Sequence, residues 1–445
     1  MRNVIIRSLV HGVFISVFFL ACITAYAAES PYDLAWVRQL GTYNNDYGLS
    51  VALDDLGNAY ISGQTQGSLG GTSAGDTDAF LAKYDFSGSL IWKRQLGTSA
   101  IDECWSIAVD GSGNAYIGGS TEGSLGGPQV GYYDAFLAKY DASGTLLWTR
   151  QQGIKNHYDF CLSVAVDGSG NAYITGFTEG SPTDGLDGFL TKYNASGTLL
   201  WTRQLGTTAN DEARSVAIDG SGNAYITGFT EGSLGGPNAG GYDMFLAKYD
   251  GSGTLLWTRQ RGTSTGDYSL SVATDGFGNA YISGFTRGST SDSEDAFLAK
   301  YDPSGNLLWQ RKLGVNNSTD ESTSVAIDNW GRVYISGYTK GSLGGPNAGR
   351  ADAFLAKYDT FGTLLWTRQI GTTRYDYSNS VAVDQAGNAY ISGYTDGSLG
   401  GANAGGHDAF LAKYANPAPE PSTLALIVPA LLGFAGIAAR RMRRK

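Results

Sequence analysis

The chain is poor in cysteine and histidine, with three of each among its 445 residues. These few residues form no cluster with the spacing of a zinc site. The sequence also offers no visible set of nucleophile, base and orienting acid, no phosphate-binding loop and no basic patch for nucleic acid. We therefore predict a protein that is not an enzyme, that needs no resident cofactor and that does not bind nucleic acid.

Proline is also scarce, at 10 residues, whereas glycine reaches 64 and tyrosine 27. The glycines follow no Gly-X-Y period, which excludes collagen. Glycine-rich turns between short aromatic segments are typical of an all-β protein.

Positive charge is concentrated at the two ends of the chain. The formal net charge is −10, and residues 1–27 and 419–445 together hold seven positive charges and one negative charge, which leaves −16 on the remainder. A domain this acidic should repel nucleic acid and anionic lipid. Cations or neutral glycans suit it better as ligands.

A tryptophan-marked segment occurs seven times, and its first copy reads Trp-Val-Arg-Gln-Leu-Gly-Thr from Trp36. The successive steps are 56, 56, 53, 56, 52 and 57 residues. A period near 50 with four strand-like segments per unit predicts a β-propeller. The marker residues are Trp36, Trp92, Trp148, Trp201, Trp257, Trp309 and Trp366. We expect these rings to wedge between neighbouring blades.

One unit shows the four predicted strands: a at 105–109, b at 115–121, c at 134–140 and d at 146–151. Asp-Gly-Ser-Gly-Asn joins a to b, and Asp-Ala-Ser-Gly-Thr joins c to d, both in the composition of tight turns. The b–c and d–a connections are longer.

The predicted propeller spans residues 34–414 and closes on itself. The repeats open on a strand d (34–40) and end on a strand c (408–414), so the first strand can complete the last blade. Such closure leaves no free ladder at the seam.

The repeated Ser-Val-Ala-x-Asp-x-x-Gly-Asn-Ala-Tyr-Ile-x-Gly and Asp-Ala-Phe-Leu-Ala-Lys-Tyr-Asp resemble the SBBP class of bacterial β-propeller repeats. The resemblance covers about residues 34–414 and implies a seven-bladed propeller of four-stranded antiparallel blades. It implies no particular activity, because one fold serves many functions.

Residues 1–27 have a basic start, an apolar stretch and a closing Ala-Tyr-Ala, which predict a secretory signal peptide. Cys22 leaves a lipoprotein leader as the alternative. At the other end, a linker (415–418) leads to Pro-Glu-Pro, an apolar run (424–439) and a basic terminus. The apolar run has sixteen residues against the ~20 that span a bilayer. A single-pass anchor is one interpretation.

Pro419, Glu420 and Pro421, the apolar run and the arginine cluster together resemble the PEP-CTERM sorting signal. That resemblance implies a Gram-negative bacterium that makes exopolysaccharide, processing by an exosortase, and transient membrane contact through the tail. It also implies export through the inner membrane to the cell surface, the outer membrane or the extracellular matrix.

The b–c and d–a loops share one end of the propeller, which we call the loop face. They vary among the blades, and variable loops on a rigid scaffold are where binding usually occurs. Each blade places two aspartates there. One precedes strand a: Asp46, Asp102, Asp159, Asp211, Asp267, Asp320 and Asp376. The other opens strand c: Asp78, Asp134, Asp187, Asp243, Asp295, Asp352 and Asp408.

The aspartates preceding strand a have two interpretations. They could form a ring that coordinates calcium or hydrogen-bonds sugar hydroxyls. They could instead accept backbone N–H groups at the strand starts or pair with repeated cations. Recurrence in every blade favours the structural role. Calcium in the Asp-Gly-Ser-Gly-Asn turns is a further alternative, although those turns lack the ligand pattern of an EF-hand.

Cys104 and Cys161 hold the same site in adjacent units, so an inter-blade disulfide is a further hypothesis for an oxidising compartment. His157 and His407 both fall on the loop face, far apart in repeat order, where we interpret them as ordinary loop residues.

The leading functional hypothesis is an exported binding or scaffold module for exopolysaccharide or surface proteins. A scaffold that only spaces and displays the domain is another. The rival is a secreted glycan-active hydrolase or lyase, which needs two carboxyls ~5 Å or ~6.5–9.5 Å apart. Its blade-specific candidates are Asp184, Glu294, Glu103, Glu212 and Glu321.

Overall fold

The computed structural model describes residues 33–179, 185–288 and 294–416. The predicted signal peptide, the sorting motif at Pro419, Glu420 and Pro421, and Asp184 lie outside the described residues. A compact unit spans Leu34–Tyr414. Among the described residues we find no helix with the length and apolar character that a membrane crossing requires.

The compact unit is a seven-bladed β-propeller of four-stranded antiparallel sheets, as the sequence predicted. The strands of blades 1 to 3 are β2 (Asp46–Leu53), β3 (Ala59–Thr65), β4 (Asp78–Tyr84), β5 (Leu90–Leu96), β6 (Asp102–Val109), β7 (Ala115–Thr121), β8 (Asp134–Tyr140), β9 (Leu146–Gln152), β10 (Asp159–Val166), β11 (Ala172–Glu179), β12 (Leu186–Tyr193) and β13 (Leu199–Leu205).

Blades 4 to 6 repeat the same order of strands a to d. They are β14 (Asp211–Ile218), β15 (Ala224–Thr230), β16 (Asp243–Tyr249), β17 (Leu255–Arg261), β18 (Asp267–Thr274), β19 (Ala280–Arg287), β20 (Glu294–Tyr301), β21 (Leu307–Leu313), β22 (Asp320–Ile327), β23 (Val333–Thr339), β24 (Asp352–Tyr358) and β25 (Leu364–Ile370). Blade 7 consists of β26 (Asp376–Val383), β27 (Ala389–Thr395), β28 (Asp408–Ala415) and β1 (Asp33–Leu40).

Blade 7 confirms the predicted closure, because β1 pairs with β28 in the sheet order β1-β28-β27-β26. The innermost strands, strand a of each blade, contact one another around the ring, including β26 with β2. The ring therefore closes through backbone hydrogen bonds that join the two ends of the described chain. β28 extends to Ala415, the first residue of the predicted linker.

The tight turns form because glycine occupies the position that needs a left-handed backbone. Gly113 has φ +77° in the a–b turn of blade 2, and its N–H donates to the Asp110 carbonyl at 2.8 Å. The Asp110 carboxylate accepts the N–H groups of Ser112 and Asn114, both at 2.9 Å. Aspartate and glycine at this spacing thus fix the turn without help from other blades.

The core lies between the blades. Tyr60 of blade 1 is fully buried against Ile107 and Phe136 of blade 2. Trp92 of blade 1 donates from its indole N–H to the Ala142 carbonyl of blade 2 at 3.3 Å. The repeated tryptophans therefore pack on the next blade, as predicted.

Cys104 and Cys161 are buried free thiols at equivalent positions of β6 and β10. The Cys161 sulfur packs on Gly118 of the preceding blade, 2.7 Å from where a Cβ at that glycine would stand. Both thiols are free, so the hypothesised disulfide is not formed in this structure.

Glycine in the middle of strand b provides a test of this close packing. A Cβ at Gly228 would lie 1.8 Å from the Glu212 carbonyl oxygen. We expect Gly228→Ala to lower the free energy of unfolding by about 1–3 kcal/mol, the usual cost of overpacking. Urea denaturation measures the change.

Gly220 is the matched control, because it lies in a turn of the same blade and a Cβ there would meet no other atom within 4 Å. Gly220→Ala should stay within about 0.5 kcal/mol of the native protein. Equal effects of the two substitutions would contradict the close strand packing.

Candidate ligand-binding face

The loops of the loop face are tied to one another by backbone hydrogen bonds. The Asp102 N–H donates to the Thr77 carbonyl at 2.8 Å, and the Glu122 N–H donates to the Ile101 carbonyl at 2.9 Å. These bonds join a b–c loop of one blade to the d–a connection beside it. The described loops are therefore held in place by their neighbours and present their side chains in defined positions.

The aspartates that precede strand a are buried in all seven blades. Asp102 shows their geometry: one carboxylate oxygen accepts the Thr121 hydroxyl, and the other accepts the Thr98 hydroxyl at 2.9 Å together with the Thr98 N–H. Burial raises the pKa of Asp102, and these hydrogen bonds oppose the rise. The carboxylates thus hold the d–a turn against strand b, while their predicted ligand-binding role stays a prediction.

The aspartates that open strand c hold the b–c loops. Asp78 accepts the Gln95 side-chain N–H at 2.6 Å and the Ala74 N–H at 2.8 Å. The Gln95 carbonyl oxygen accepts the Leu69 N–H at 3.0 Å. We call this arrangement the glutamine latch.

Sequence reasoning missed the glutamine latch, although a signal was present. A glutamine stands three residues after six of the seven repeated tryptophans, as Gln39, Gln95, Gln151, Gln204, Gln260 and Gln369. Blade 5 has Lys312 instead, whose ammonium lies 2.5 Å from Asp295.

Blade-specific chemistry begins at the residue after each strand-a aspartate. These positions alternate between aromatic residues and glutamate around the ring, as Tyr47, Glu103, Phe160, Glu212, Tyr268, Glu321 and Tyr377. Because strand a is innermost, they encircle the loop-face mouth of the central channel.

Five aromatic rings form a continuous cluster across blades 2 and 3, which we call the aromatic stack: Tyr132, Tyr133, Tyr158, Phe160 and Phe177. Tyr133 stacks on Phe160 with centroids 5.1 Å apart, and Tyr132 lies 5.1 Å from Tyr158. Tyr132 is 55% exposed and Tyr158 is 39% exposed, so the outer rings face solvent.

The structure places near each other two of the carboxyls that were predicted for the alternative hydrolase or lyase. Glu294 of blade 5 lies near enough to Glu321 of blade 6 to raise its pKa, and the Tyr338 hydroxyl donates to Glu321. Burial raises the pKa of Glu321 to about 7, the tyrosine bond opposes the rise, and Glu294 adds to it. Arg287 lies 3.2 Å from Glu294.

The other candidate acids are separate from this pair. Glu103 lies in blade 2 beside Glu122, and Glu212 lies in blade 4 with Arg214 at 3.6 Å. Burial raises the pKa of Glu103 and of Glu212.

A cavity of about 840 Å³ opens above blade 7, between the d–a loop at 371–374 and the b–c segments at 396–398 and 403–407. We call it the blade-7 cavity. His407 and Asp396 line it and are hydrogen-bonded through the histidine Nδ1. His157 lies in the loop before blade 3, with its Nδ1 3.9 Å from Glu179. Both histidines are on the loop face, in different sectors.

Within residues 33–179, 185–288 and 294–416, no group of three or more histidine, cysteine or carboxylate side chains is arranged to hold a metal ion. The described part of the chain therefore shows no cluster of ligands for the predicted calcium at the aspartate ring, and calcium binding there stays a prediction.

Six segments of the chain match the SBBP family, which is described as a beta-propeller repeat. They are residues 35–70, 91–126, 147–182, 200–235, 308–344 and 365–400. Each segment contains one of the repeated tryptophans, and the structure supplies a seventh unit of the same form around Trp257.

The chain is 25% identical over 371 residues to the regulatory protein FlaEY of Caulobacter vibrioides, which covers 70% of the chain and 38% of that protein. It is 24% identical over 466 residues to the uncharacterized WD repeat-containing protein L264 of Acanthamoeba polyphaga mimivirus, covering 81% and 31%. The chain thus spans about a third of the length of these curated relatives. The solved structure of YCF48 bound to D1 peptide is similar with a TM-score of 0.48 and 13% identity, covering 88% of this chain and 98% of that one.

The glutamate pair generates a prediction about pH. A folded-state pKa of about 7 lies above the ordinary 4.5, so the contribution of Glu321 to stability is complete below about pH 4.5 and is lost as the pH rises through 7. Glu321→Gln removes this dependence. We expect the unfolding temperature of the native protein to fall relative to that of the variant between pH 5 and pH 8.

Glu179→Gln is the control, because the Glu179 side chain is 45% exposed and lies in another blade. Its unfolding temperature should run parallel to that of the native protein across the same pH range. A parallel curve for Glu321→Gln as well would contradict the raised pKa of Glu321.

Proposed function

Because the chain is a β-propeller repeat protein with six SBBP matches, we propose that it acts as an exported, non-enzymatic binding module for exopolysaccharide. The loop face is the binding surface in this proposal. Seven rigid blades hold its side chains in place, and the variable positions supply the recognition.

The aromatic stack is the observation that carries the proposal. Sugar rings have apolar faces of C–H groups, which pack on flat aromatic rings, and hydroxyl edges, which need planar polar partners. Tyr132 and Tyr158 offer exposed rings, and Glu179 and His157 lie beside them. Exposed aromatic rings with a polar tip favour interfaces of this mixed character.

The predicted ends of the chain agree with an extracellular ligand. The signal peptide would direct export, and the PEP-CTERM-like tail would direct exosortase processing at the cell surface. An acidic domain also suits a hydrated polysaccharide better than nucleic acid.

The glutamate pair is the observation that bears on the rival hydrolase or lyase. A glycosidase separates its two carboxyls by ~5 Å or more, so that a sugar ring fits between them. Glu294 raises the pKa of Glu321, and both carboxyls already have protein partners, Arg287 for Glu294 and Tyr338 for Glu321. These partners favour a structural role for the pair over glycoside hydrolysis.

The testing experiment is calorimetry of the purified protein with exopolysaccharide from the producing bacterium, with and without calcium. Saturable binding supports the glycan module, and its loss on chelation would assign a ligand role to the aspartates. Absence of binding in both conditions would favour a surface-protein partner or a display scaffold.

A double substitution locates the binding. Tyr132→Ala with Tyr158→Ala removes two stacking rings, each worth about 0.5–1.5 kcal/mol, so we expect the affinity for exopolysaccharide to fall about ten-fold. Tyr43→Ala is the control, because Tyr43 is 87% exposed on another loop of the same face. Unchanged affinity in the double variant, with the fold intact by circular dichroism, would place the ligand elsewhere.

A further inference from the structure

The blade-7 cavity differs from the rest of the loop face in its charge. Arg374 lines it, together with the Asp396 carboxylate. The backbone N–H of Arg350 donates to the backbone carbonyl of Arg374 at 3.1 Å, and the Arg350 guanidinium lies 5.2 Å from the ring centroid of Tyr375. Arg374 thus brings a positive charge to one cavity of a strongly acidic domain.

Neither arginine forms an ion pair with a carboxylate of the described residues, whereas three cations elsewhere on the loop face do. Arg214 lies 3.6 Å from Glu212, Arg287 lies 3.2 Å from Glu294, and Lys312 lies 2.5 Å from Asp295. The charge at the cavity rim is therefore available to a ligand.

His407 is held in a fixed position at the same cavity. Its ring lies 4.9 Å from the centroid of Tyr47 and 5.1 Å from that of Tyr394. Asp396 accepts at Nδ1, which places a proton on that nitrogen. The Nε2 atom has no hydrogen-bond partner in the described chain, so it can contact a ligand in the cavity.

The loop that forms the cavity wall is preorganised by its own hydrogen bonds. The Asn403 carbonyl oxygen accepts the Gly405 N–H at 3.1 Å, and its amide donates to the Gly406 carbonyl at 3.2 Å. The cavity volume of about 840 Å³ lies in the range of small-molecule sites. A ligand would therefore enter without reordering the loop.

The arginine and histidine belong to blade 7 and not to the repeat. The residue two before the strand-a aspartate is asparagine or alanine in several other blades, as at Asn44, Ala100 and Ala209, where blade 7 has Arg374. The residue before the strand-c aspartate is His407 in blade 7 and is not histidine in any other blade, where it is Thr77, Tyr133, Leu186, Tyr242, Glu294 or Ala351. Residues that maintain the fold recur, so this combination points to binding.

We infer that the blade-7 cavity binds the carboxylate of an acidic sugar, a uronate residue of the polysaccharide. The Arg374 guanidinium matches a carboxylate in two-point geometry, and His407 and Asn403 supply partners for the neighbouring hydroxyls. The inference rests on the proposed glycan-binding function and names its substrate class.

The test compares alginate oligosaccharides, which carry a carboxylate on every ring, with neutral dextran oligosaccharides by calorimetry on the purified protein. We expect alginate to bind at least ten-fold more tightly than dextran. Arg374→Ala should remove that preference and leave dextran binding unchanged. Lys155→Ala is the matched control, because it removes one exposed positive charge from the loop before blade 3, and it should preserve the preference.

A second measurement reports on the cavity itself. Residues 28–445 contain two histidines, so His407→Gln assigns the His407 ring resonance by NMR. Glucuronate should shift that resonance, and glucose, sulfate and phosphate at equal ionic strength should shift it far less. An equal shift by sulfate or phosphate would overturn the sugar-specific site in favour of a general anion site.

The outcomes separate the two proposals. Equal binding of alginate and dextran, unaffected by Arg374→Ala, would overturn the uronate inference and leave glycan binding in place. A glucuronate shift at His407 without binding of any polysaccharide would overturn the proposed function and support the cavity. Binding of polyglutamate as tight as that of alginate would overturn the inference in favour of an acidic peptide.

Discussion

The buried carboxylates at the loop end of each blade are the constraint on which the binding face depends. A d–a turn and a b–c loop would otherwise leave backbone N–H groups without partners. Two aspartates show how these groups are satisfied. Asp102 accepts the Thr98 N–H of the d–a turn, and Asp78 accepts the Gln95 side-chain N–H beside the b–c loop. Burying a carboxylate costs free energy unless hydrogen bonds compensate for the lost water. Each of these aspartates therefore stabilises its loop only when all of its hydrogen-bond partners are in place.

The buried aspartates recur in every blade, and this recurrence explains which part of the structure the sequence could predict. The strands and tight turns depend on local spacing of Trp, Asp and Gly and recur in all seven blades, so the copies support one another, and closure follows from the strands on which the repeats open and end. The meeting of Glu294 with Glu321 is different, because it joins two blades and because Glu294 has no counterpart before the strand-c aspartate of the other blades. Their contact depends on loop conformation and on which residue follows each aspartate, and no spacing in the sequence encodes it.

The same division separates fold from recognition. The aspartates that recur in every blade accept hydrogen bonds from their own loops. Contacts with a ligand are therefore expected from residues that vary among the blades. The residue after the strand-b threonine illustrates this, since it is acidic in blades 2 to 4 and basic in blades 5 and 6, as Glu122, Glu179, Glu231, Arg287 and Lys340. A face polarised in this way can orient an asymmetric chain, which a seven-fold symmetric ring of aspartates cannot do.

Rigidity follows from the same interactions and sets how such a face binds. Backbone hydrogen bonds hold the described loops in place, so little conformational entropy would be lost on binding. In the proposed function the affinity comes from a few side chains such as Tyr158 and Arg374. These two residues lie in blades 3 and 7, on separate sectors of the ring. A ligand that contacts both must be extended and must repeat its chemistry along its length, and a polysaccharide meets both conditions where a compact small molecule meets neither.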